Sequence, residues 1–412
     1  MYCKLRAAFL AGALAFISQP ALAEPITLDE AIRRASEAAP LLQAGDAAIS
    51  AAKAGARQAG VRPNPSLVVE GENLVGTGPY NVLRQAEVSV TYSQPFERGG
   101  KRAARVALAQ QDIGVAQASA RIARLDLAAA VQRAYIDAQI TDYAARISAE
   151  RLETETAMQR EALRRVRGYK DPLFVETRAA ARVAQARLGR DEARARHTNA
   201  RNRLASYWGG SGADLELADG LSLSTTNYVA IAPSDLALRN AEIARARASV
   251  VVEQSRATQD YTFSGGARYL RETGDVALLA GVTIPLGRFD RNQGNIERAQ
   301  AERQRMEFLA EADRLEKLRR LASLRADADA ARTRADAIMA EVYPRTTRTL
   351  DQVREGYNRG GFTFRDVQDA ADAILEVQDQ WLETITRFRD AQTEIDRLTG
   401  RFDALATVET TP

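Results

Sequence analysis

The residues that could carry out chemistry are few, and most of them are carboxylates. The chain has one histidine, His197, and one cysteine, Cys3. So few nitrogen and sulfur ligands cannot build a dedicated soft-metal site, and no phosphate-binding or dinucleotide-binding glycine motif occurs. We therefore predict no catalytic residue, no resident metal ion and no cofactor. His197 lies in an arginine-rich helical stretch and is expected on a solvated surface.

Two carboxylates stand out by their position. Asp366 and Asp369 follow the glycine pair Gly360 and Gly361 and are three residues apart, so they fall on one face of the predicted helix. Carboxylates around a narrow passage attract cations and can hold one there. The alternative interpretation is a solvated acidic first turn, which the helix dipole stabilises without any further function.

The elements that must position these carboxylates occur twice along the chain. A strand-like segment, residues 86–93, ends near Pro95 and is followed at once by a long stretch of helix-forming residues. The same junction recurs at residues 276–284 and Pro285, 190 positions further on. Two copies of one strand-to-helix connection indicate a duplicated chain.

Each half is predicted to contain a helix, two strands, a long helix, a turn and a shorter helix. The first-half elements are residues 28–60, 66–72, 86–93, 97–167 and 173–207, and the second-half elements are 234–258, 261–269, 276–284, 292–355 and 363–400. Thr27 and Glu30 have the spacing of a capping box, and Pro344 is expected to kink the second long helix. A helix of ~70 residues spans ~105 Å, so it must pack along its length as a coiled coil does.

Residues 1–23 have the features of a secretory signal peptide. Lys4 and Arg6 precede an apolar run, and residues 21–23 form a small-residue cleavage site. Without Lys4 and Arg6, 55 basic residues face 54 acidic ones, a balance that argues against a nucleic-acid partner. The predicted domains are a signal peptide at 1–23, a first repeat at 24–208, a linker at 209–232, a second repeat at 233–400 and a flexible tail at 401–412.

The four predicted strands carry apolar residues on one side and small or polar residues on the other. This pattern is typical of outer-membrane barrels. Four strands cannot close a barrel, and an open strand edge is not viable in lipid. The chain is therefore predicted to share one barrel with copies of itself in a cyclic homo-oligomer. The alternative is a small soluble sheet attached to a coiled-coil protein.

The mature chain resembles the outer-membrane factor (TolC-like) family over essentially its whole length. The signal peptide, the duplicated plan and the proline-ended strands carry the resemblance. The segment Gln94-Pro95-Phe96-Glu97-Arg98-Gly99-Gly100-Lys101-Arg102 is similar to the cation-efflux (CzcC-like) branch. The resemblance implies a mainly α fold with a membrane β-barrel, in which a homotrimer shares one twelve-stranded barrel that continues as a helical tunnel into the periplasm.

The resemblance also implies a function, a location and partners. The protein would be a passive exit duct in the Gram-negative outer membrane, in contact with its lipid and without enzymatic activity. It would dock on a periplasmic adaptor (membrane fusion protein) and an inner-membrane RND pump, and export heavy-metal cations. One alternative is the same channel exporting organic drugs. The other is a periplasmic adaptor or coiled-coil scaffold, which the long predicted hairpins favour.

Site residues follow from the same resemblance. Asp366 and Asp369 match the acidic ring at the periplasmic entrance, and Tyr357 matches a tyrosine of the network that closes it. The basic residue usual in that network aligns with Phe362, so Arg359 or Arg365 is expected to replace it. The predicted adaptor contacts at the helix turns are Gly168, Tyr169, Asp171, Gly360 and Gly361, and the predicted interfacial aromatic residues are Tyr92, Tyr261, Phe263 and Tyr269.

Overall fold

The computed structural model describes residues 25–213, 215–218, 220–221, 223 and 230–403. The predicted signal peptide, part of the predicted linker and residues 404–412 of the predicted tail lie outside them. The elements in chain order are α1 (Leu28–Ala38), α2 (Pro40–Ala59), β1 (Ser66–Glu72), β2 (Glu87–Phe96), α3 (Lys101–Arg167), α4 (Leu173–Ser206), α5 (Pro233–Arg256), β3 (Tyr261–Leu270), β4 (Asp275–Thr283), α6 (Gln293–Ala337), α7 (Tyr343–Asn358) and α8 (Phe364–Thr399).

Helix α3 is the longest element, and its 67 residues span ~100 Å at ~1.5 Å per residue. It begins at Lys101 rather than at residue 97, because Gly99 and Gly100 both have positive φ angles, 66° and 72°. Glycine adopts that left-handed conformation without the penalty that a Cβ would bring. The pair therefore turns the chain sharply out of β2 and into the helix.

The predicted first helix, residues 28–60, is in fact two helices. Pro40 occupies the first position of α2, and Ala39 before it is extended, with φ −74° and ψ 114°. A residue that precedes proline is driven out of the helical region, which explains the break. The capping box is only half formed, because Glu30 N–H donates to Thr27 Oγ1 while the Glu30 carboxylate accepts from Arg33 and Arg34 instead.

The second long helix is interrupted by a π-helical turn, Ile338–Val342, which separates α6 from α7. Pro344 is the second residue of α7. A proline has no backbone N–H and its ring clashes with the carbonyl four residues earlier, so the widened turn accommodates it. The predicted disturbance at Pro344 is confirmed, and its form is a π-helical turn.

One antiparallel sheet joins the two halves, with the strand order β1-β2-β3-β4. Ser66 pairs with Ser93, Glu87 with Leu270 and Thr262 with Thr283. Strand β2 does not stop at Pro95 as predicted but continues to Phe96. This is tolerated because β1 begins opposite Ser93, so Pro95 has a strand neighbour only on the β3 side.

The register places most of the large apolar side chains of the four strands on one face, although Val68 and Leu279 lie on the other. Even-numbered residues of β2 and β4 share the apolar face with odd-numbered residues of β1 and β3. The described part of the chain leaves this face uncovered, and Leu278 on it is 88% exposed. The large side chains of this outer face are Leu67, Val69, Val88, Val90, Tyr92, Phe96, Tyr261, Phe263, Tyr269, Val276, Leu278 and Val282.

The opposite face is mostly small and polar. Ser89, Thr91, Ser264 and Gly266 lie on it, and Gly266 packs so closely on β2 that a Cβ there would approach the Val90 carbonyl oxygen to 2.4 Å. On the same face Arg268 pairs with Glu87 at 2.9 Å and with Glu72 at 3.2 Å. An uncovered apolar face of this extent marks a surface that contacts another protein or a membrane.

The helices continue the order of the strands. α2 packs on α3, α3 on α5 and α5 on α6, while α4 returns along α3 and α8 returns along α6 and α7. Within the described residues, β1 and β4 each have a single strand neighbour, so both edges of the sheet are open. No helix in the described part of the chain is long and apolar enough to cross a bilayer.

Two adjacent leucines give a test of the two faces. Leu278 lies on the outer apolar face and Leu279 on the inner face. If the outer face meets lipid, Leu278→Arg should cost ~2–4 kcal/mol near the bilayer midplane. Leu279→Arg, the matched control, should assemble normally in liposomes. Equal assembly of both variants, measured as the protease-resistant fraction, would contradict the assignment of the faces.

Candidate functional site at the helix turns

Two helix turns lie side by side at the end of the molecule away from the sheet. One joins α3 to α4 around Gly168, and the other joins α7 to α8 around Gly360. Beneath them a common hydrophobic cluster holds the four helix ends together. Its large members are Met158, Val175, Leu350, Tyr357, Phe364 and Val367.

Arg165, Asp171 and Tyr357 connect the two turns, and we refer to them as the turn cluster. Arg165 donates to both carboxylate oxygens of Asp171, at 3.0 and 3.2 Å, and to the backbone carbonyl of Tyr357 at 2.7 Å. Its guanidinium lies 4.0 Å from the centre of the Tyr357 ring. The Tyr357 hydroxyl donates to Asp171 at 2.5 Å. Each member therefore contacts both others, across the two halves of the chain.

Burial strengthens the turn cluster. Tyr357 is only 3% exposed, and the side chains of Arg165 and Asp171 are 11% and 13% exposed. Burial alone would raise the pKa of Asp171, but the hydrogen bonds from Arg165 and Tyr357 outweigh it and lower that pKa. Burial, together with the hydrogen bond to Asp171, raises the pKa of the Tyr357 hydroxyl. Asp171 is therefore held as a carboxylate and Tyr357 as a neutral phenol.

The two predicted ring carboxylates have different surroundings. Asp366 closes a capping box: its carboxylate accepts from the Thr363 N–H and hydroxyl, both at 2.7 Å, and its own N–H donates back to Thr363 at 3.3 Å. These hydrogen bonds lower the pKa of Asp366. Asp369 is exposed, with Arg365 3.7 Å away as its ion-pair partner. Of the two, Asp369 is the carboxylate not used to cap the helix.

Neither arginine predicted to assist Tyr357 contacts it within one chain. Arg359 pairs with Glu355 on its own helix, and Arg365 pairs with Asp369. Arg165, on the other hairpin, takes the place beside the tyrosine. Sequence reasoning missed Arg165, although an arginine and an aspartate that flank a predicted turn are a recognisable signal for a pair across it.

The predicted turn residues differ in their accessibility. Tyr169 is 97% exposed and has a positive φ of 57°, and Gly360 has a φ of 83°. Gly168 and Gly361 complete the two exposed turns. Asp171 is not available in the same way, because its carboxylate is already bound by Arg165 and Tyr357.

The four predicted interfacial aromatic residues all lie on the outer face of the sheet. Tyr261 lies at the end nearest the helices, beneath Arg98 at 4.0 Å, and Phe263 contacts Phe96 edge to face at 5.1 Å. Tyr269 lies near the opposite end, six residues or ~20 Å from Phe263. Tyr92 is in the middle of β2, opposite Gly265, rather than at an end.

His197 is not on a solvated surface as predicted. Its side chain is 20% exposed beside a cavity of about 440 Å³, and its Nε2 lies 3.7 Å from Asp142. Burial lowers the pKa of His197. Among the residues that the structure describes, no three histidine, cysteine, aspartate or glutamate side chains are grouped as metal ligands.

Comparison with known sequences identifies relatives of this chain. The sequence model of a family described as "Outer membrane efflux protein" matches residues 31–210 and 231–401. The cobalt-zinc-cadmium resistance protein CzcC of Cupriavidus metallidurans is 30% identical over 92% of this chain and 91% of its own length. The nickel and cobalt resistance protein CnrC of the same organism is 31% identical over 63% of each chain.

Solved structures share the architecture. The outer membrane protein VceC of Vibrio cholerae superposes with a TM-score of 0.74 at 19% identity, over 90% of this chain and 96% of its own. The channel CusC gives 0.74 at 15% identity, over 96% and 99%. At these identities the likeness establishes the fold, which is that of the TolC-like outer-membrane channels with an α/β-barrel.

The turn cluster should be insensitive to pH over a wide range. The lowered pKa of Asp171 stabilises the fold above its ordinary value of 3.8, and this is lost as pH falls through the folded value below that. The raised pKa of Tyr357 stabilises the fold below its ordinary value of 10.0, and this is lost as pH rises. Spin labels at Tyr169→Cys and Arg359→Cys should therefore keep one narrow distance distribution between these limits.

Below the folded pKa of Asp171 the distribution should broaden. Adding Asp171→Asn should broaden it at every pH, which serves as the control for loss of the carboxylate. A distribution that changes between pH 5 and pH 8 would contradict this assignment.

Proposed function

Because the chain belongs to the outer membrane efflux protein family, we propose that three copies of it form one passive exit duct for heavy-metal cations. The family places the protein in the outer membrane and makes it a channel, not an enzyme. Membership also argues against the adaptor or scaffold alternative, since such proteins belong to other families, and it leaves the drug-export alternative to be tested. The observation that supports the duct best is the four-stranded sheet with one bare apolar face and two open edges.

The open edges support the sharing of a barrel between copies. β1 and β4 run antiparallel in the sheet, so β4 of one copy can pair with β1 of the next. To keep apolar residues outside, odd-numbered residues of β1 must stand opposite even-numbered residues of β4, as they do across the pairs within one chain. Three copies then give twelve strands, enough to enclose a passage.

The cargo is inferred from the relatives and from the absence of a chelating group among the described residues. CzcC and CnrC are named as resistance proteins for cobalt, zinc, cadmium and nickel. A site that bound such ions tightly would retain them, whereas exposed carboxylates that are not grouped into a chelating set attract them weakly and release them. Asp369 of three copies, with Asp366 beside it, would supply such carboxylates at the periplasmic entrance.

Partners follow from the family and from the exposed turns. Members of this family are trimeric channels that work with an adaptor and an inner-membrane pump. For this chain we propose a periplasmic adaptor and an RND-type pump, with the adaptor contacting Gly168, Tyr169, Gly360 and Gly361. The turn cluster lies directly behind these residues, so an adaptor that binds the turns could separate the two hairpins and widen the entrance.

Metal resistance tests the proposed function. The gene should restore growth on cobalt, zinc or cadmium in a strain that retains the matching adaptor and pump but lacks its own outer-membrane channel. The Leu278→Arg variant, expected not to assemble, should fail to restore growth. Restored resistance to organic drugs with no change for the metals would instead favour the drug-export alternative.

Cation block of single-channel current tests the entrance carboxylates. Asp369→Asn removes charge without removing the helix cap that Asp366 provides. Because an exposed charge interaction is worth ~0.2–1 kcal/mol, we expect block by a divalent cation to weaken by about 1.4- to fivefold. Glu355→Gln, an exposed carboxylate on α7, is the matched control. Unchanged block in Asp369→Asn would remove this residue from the entrance.

The closed conductance tests the turn cluster. Tyr357→Phe deletes the hydroxyl that donates to Asp171, and a hydrogen bond to a charged group is worth ~1.5–3 kcal/mol. We expect the closed channel to open more often and to conduct a larger mean current. Phe362→Tyr, which adds a hydroxyl outside the cluster, should leave the current unchanged. An identical current in wild type and Tyr357→Phe would exclude the cluster from gating.

A further inference from the structure

The segment that connects β4 to α6, residues 284–292, presents apolar side chains to solvent although its end is fixed. Leu286 is 87% exposed and Phe289 is 91% exposed. The segment has no helix or strand of its own, and Asn292 anchors its end by donating to the Glu253 carbonyl at 2.8 Å. Two large apolar residues on an anchored connection are expected to have a partner surface.

A groove of about 1100 Å³ lies at the other edge of the same chain. One wall is the connection from α2 to β1, residues 61–65, and the other is the junction of β2 with α3. Apolar atoms for contact come from Val61, Pro63, Phe96 and Val106. Val61 and Phe96 are 50% and 52% exposed, so the described part of the chain leaves the groove open to a partner.

The topology places the segment and the groove at matching positions on opposite edges. β4 ends, and β1 begins, at the end of the sheet from which the helices extend. When β4 of one copy is antiparallel to β1 of the next, the residues after β4 run alongside the residues before β1. The segment at 284–292 is then carried to the groove of the neighbouring copy, just beyond the last strand pair.

We infer that Leu286 and Phe289 of each copy occupy the groove of the next copy around the ring. This inference rests on the proposed three-copy duct and adds an interface that the sheet alone does not provide. Strand pairing ends at Thr283, and the helices begin only at Gln293, so a gap would otherwise remain between copies at this level. The apolar contact closes that gap and prevents cargo from escaping sideways where the sheet meets the helices.

Thiol cross-linking tests the contact. In a Cys3→Ser background, Val61→Cys combined with Phe289→Cys should give covalent dimers and trimers with a short bismaleimide. Asn64→Cys combined with Leu286→Cys should do the same. Each single variant should remain monomeric on a denaturing gel. In the control pair Tyr169→Cys with Phe289→Cys, one thiol lies at the helix turns and the other where the sheet meets the helices, ~100 Å away along α3, so this pair should also give no ladder.

Measuring the mass of the detergent-solubilised particle in parallel distinguishes a failure of this contact from a failure of the proposed three-copy duct. A trimeric mass without cross-linking of either pair would overturn the inference and leave the duct standing. A monomeric mass would overturn both. Phe289→Ser provides a second measurement: it should lower the temperature at which the trimer dissociates, whereas Tyr169→Ser should not. Equal dissociation temperatures would contradict the contact even if a cysteine variant failed to fold.

Discussion

Unpaired backbone groups at the two edges of the sheet constrain the whole molecule. The free N–H and C=O groups of β1 and β4 can be exposed to water but not to hydrocarbon, where each unsatisfied group costs several kcal/mol. The outer face of the same sheet is apolar and uncovered, which suits lipid and not water. Both conditions are met only if another chain pairs with each edge. The four strands of one chain therefore leave two edges unpaired, and strands from other copies are needed to pair them.

The helices at the edges of the helical layer also need neighbouring helices, although their backbone groups are already paired within each helix. They continue the strand order, so α2 and α6 lie at the edges of the helical layer as β1 and β4 do at the edges of the sheet. The long helices bury mainly alanine, such as Ala128, Ala138 and Ala328. Small side chains allow close approach but contribute little hydrophobic free energy each, at about 25 cal/mol per Å² buried. A long, thin layer of this kind gains much of its stability from neighbours along its length.

Much of the fold could be predicted because it depends on local patterns. Alternation over residues 66–72 and 261–269 located β1 and β3 to within one residue. Gly168 with Pro172 located the first helix turn, and the pair Gly360 and Gly361 located the second. The start of α3 was placed four residues too early because Gly99 and Gly100 precede it, and the other errors in the elements arose at prolines. Pro40 divides a helix that was predicted as continuous, whereas Pro95 does not end its strand. The sequence shows that a proline is present, but whether its missing N–H matters depends on which neighbour lies beside it in space.

The site was less predictable than the fold because its contacts join distant parts of the chain. Tyr357 was identified through a family resemblance, yet Arg165 beside it lies 192 residues earlier. The positions of Arg165 and Asp171 on either side of a turn signal a pair between them, but nothing local shows that this pair meets Tyr357 on the other hairpin. In contrast, Asp366 was interpreted in two ways, as a ring carboxylate or as part of a helix start, and its hydrogen bonds to Thr363 show that it does cap α8.

The pairing of charges explains how such a protein could pass metal ions without selecting among them. Many carboxylates of the helices are already neutralised, as when Arg182 binds both Asp372 and Glu155, or when Lys317 and Arg397 both bind Asp235. A carboxylate held by arginine or lysine is a poor ligand for a passing cation, because binding the cation would first require breaking the ion pair. The described surface therefore offers attraction by exposed, weakly paired carboxylates such as Asp369, which lies 3.7 Å from Arg365, rather than coordination. Selection among metals would then have to occur before the ion reaches this protein, in the partner that delivers it.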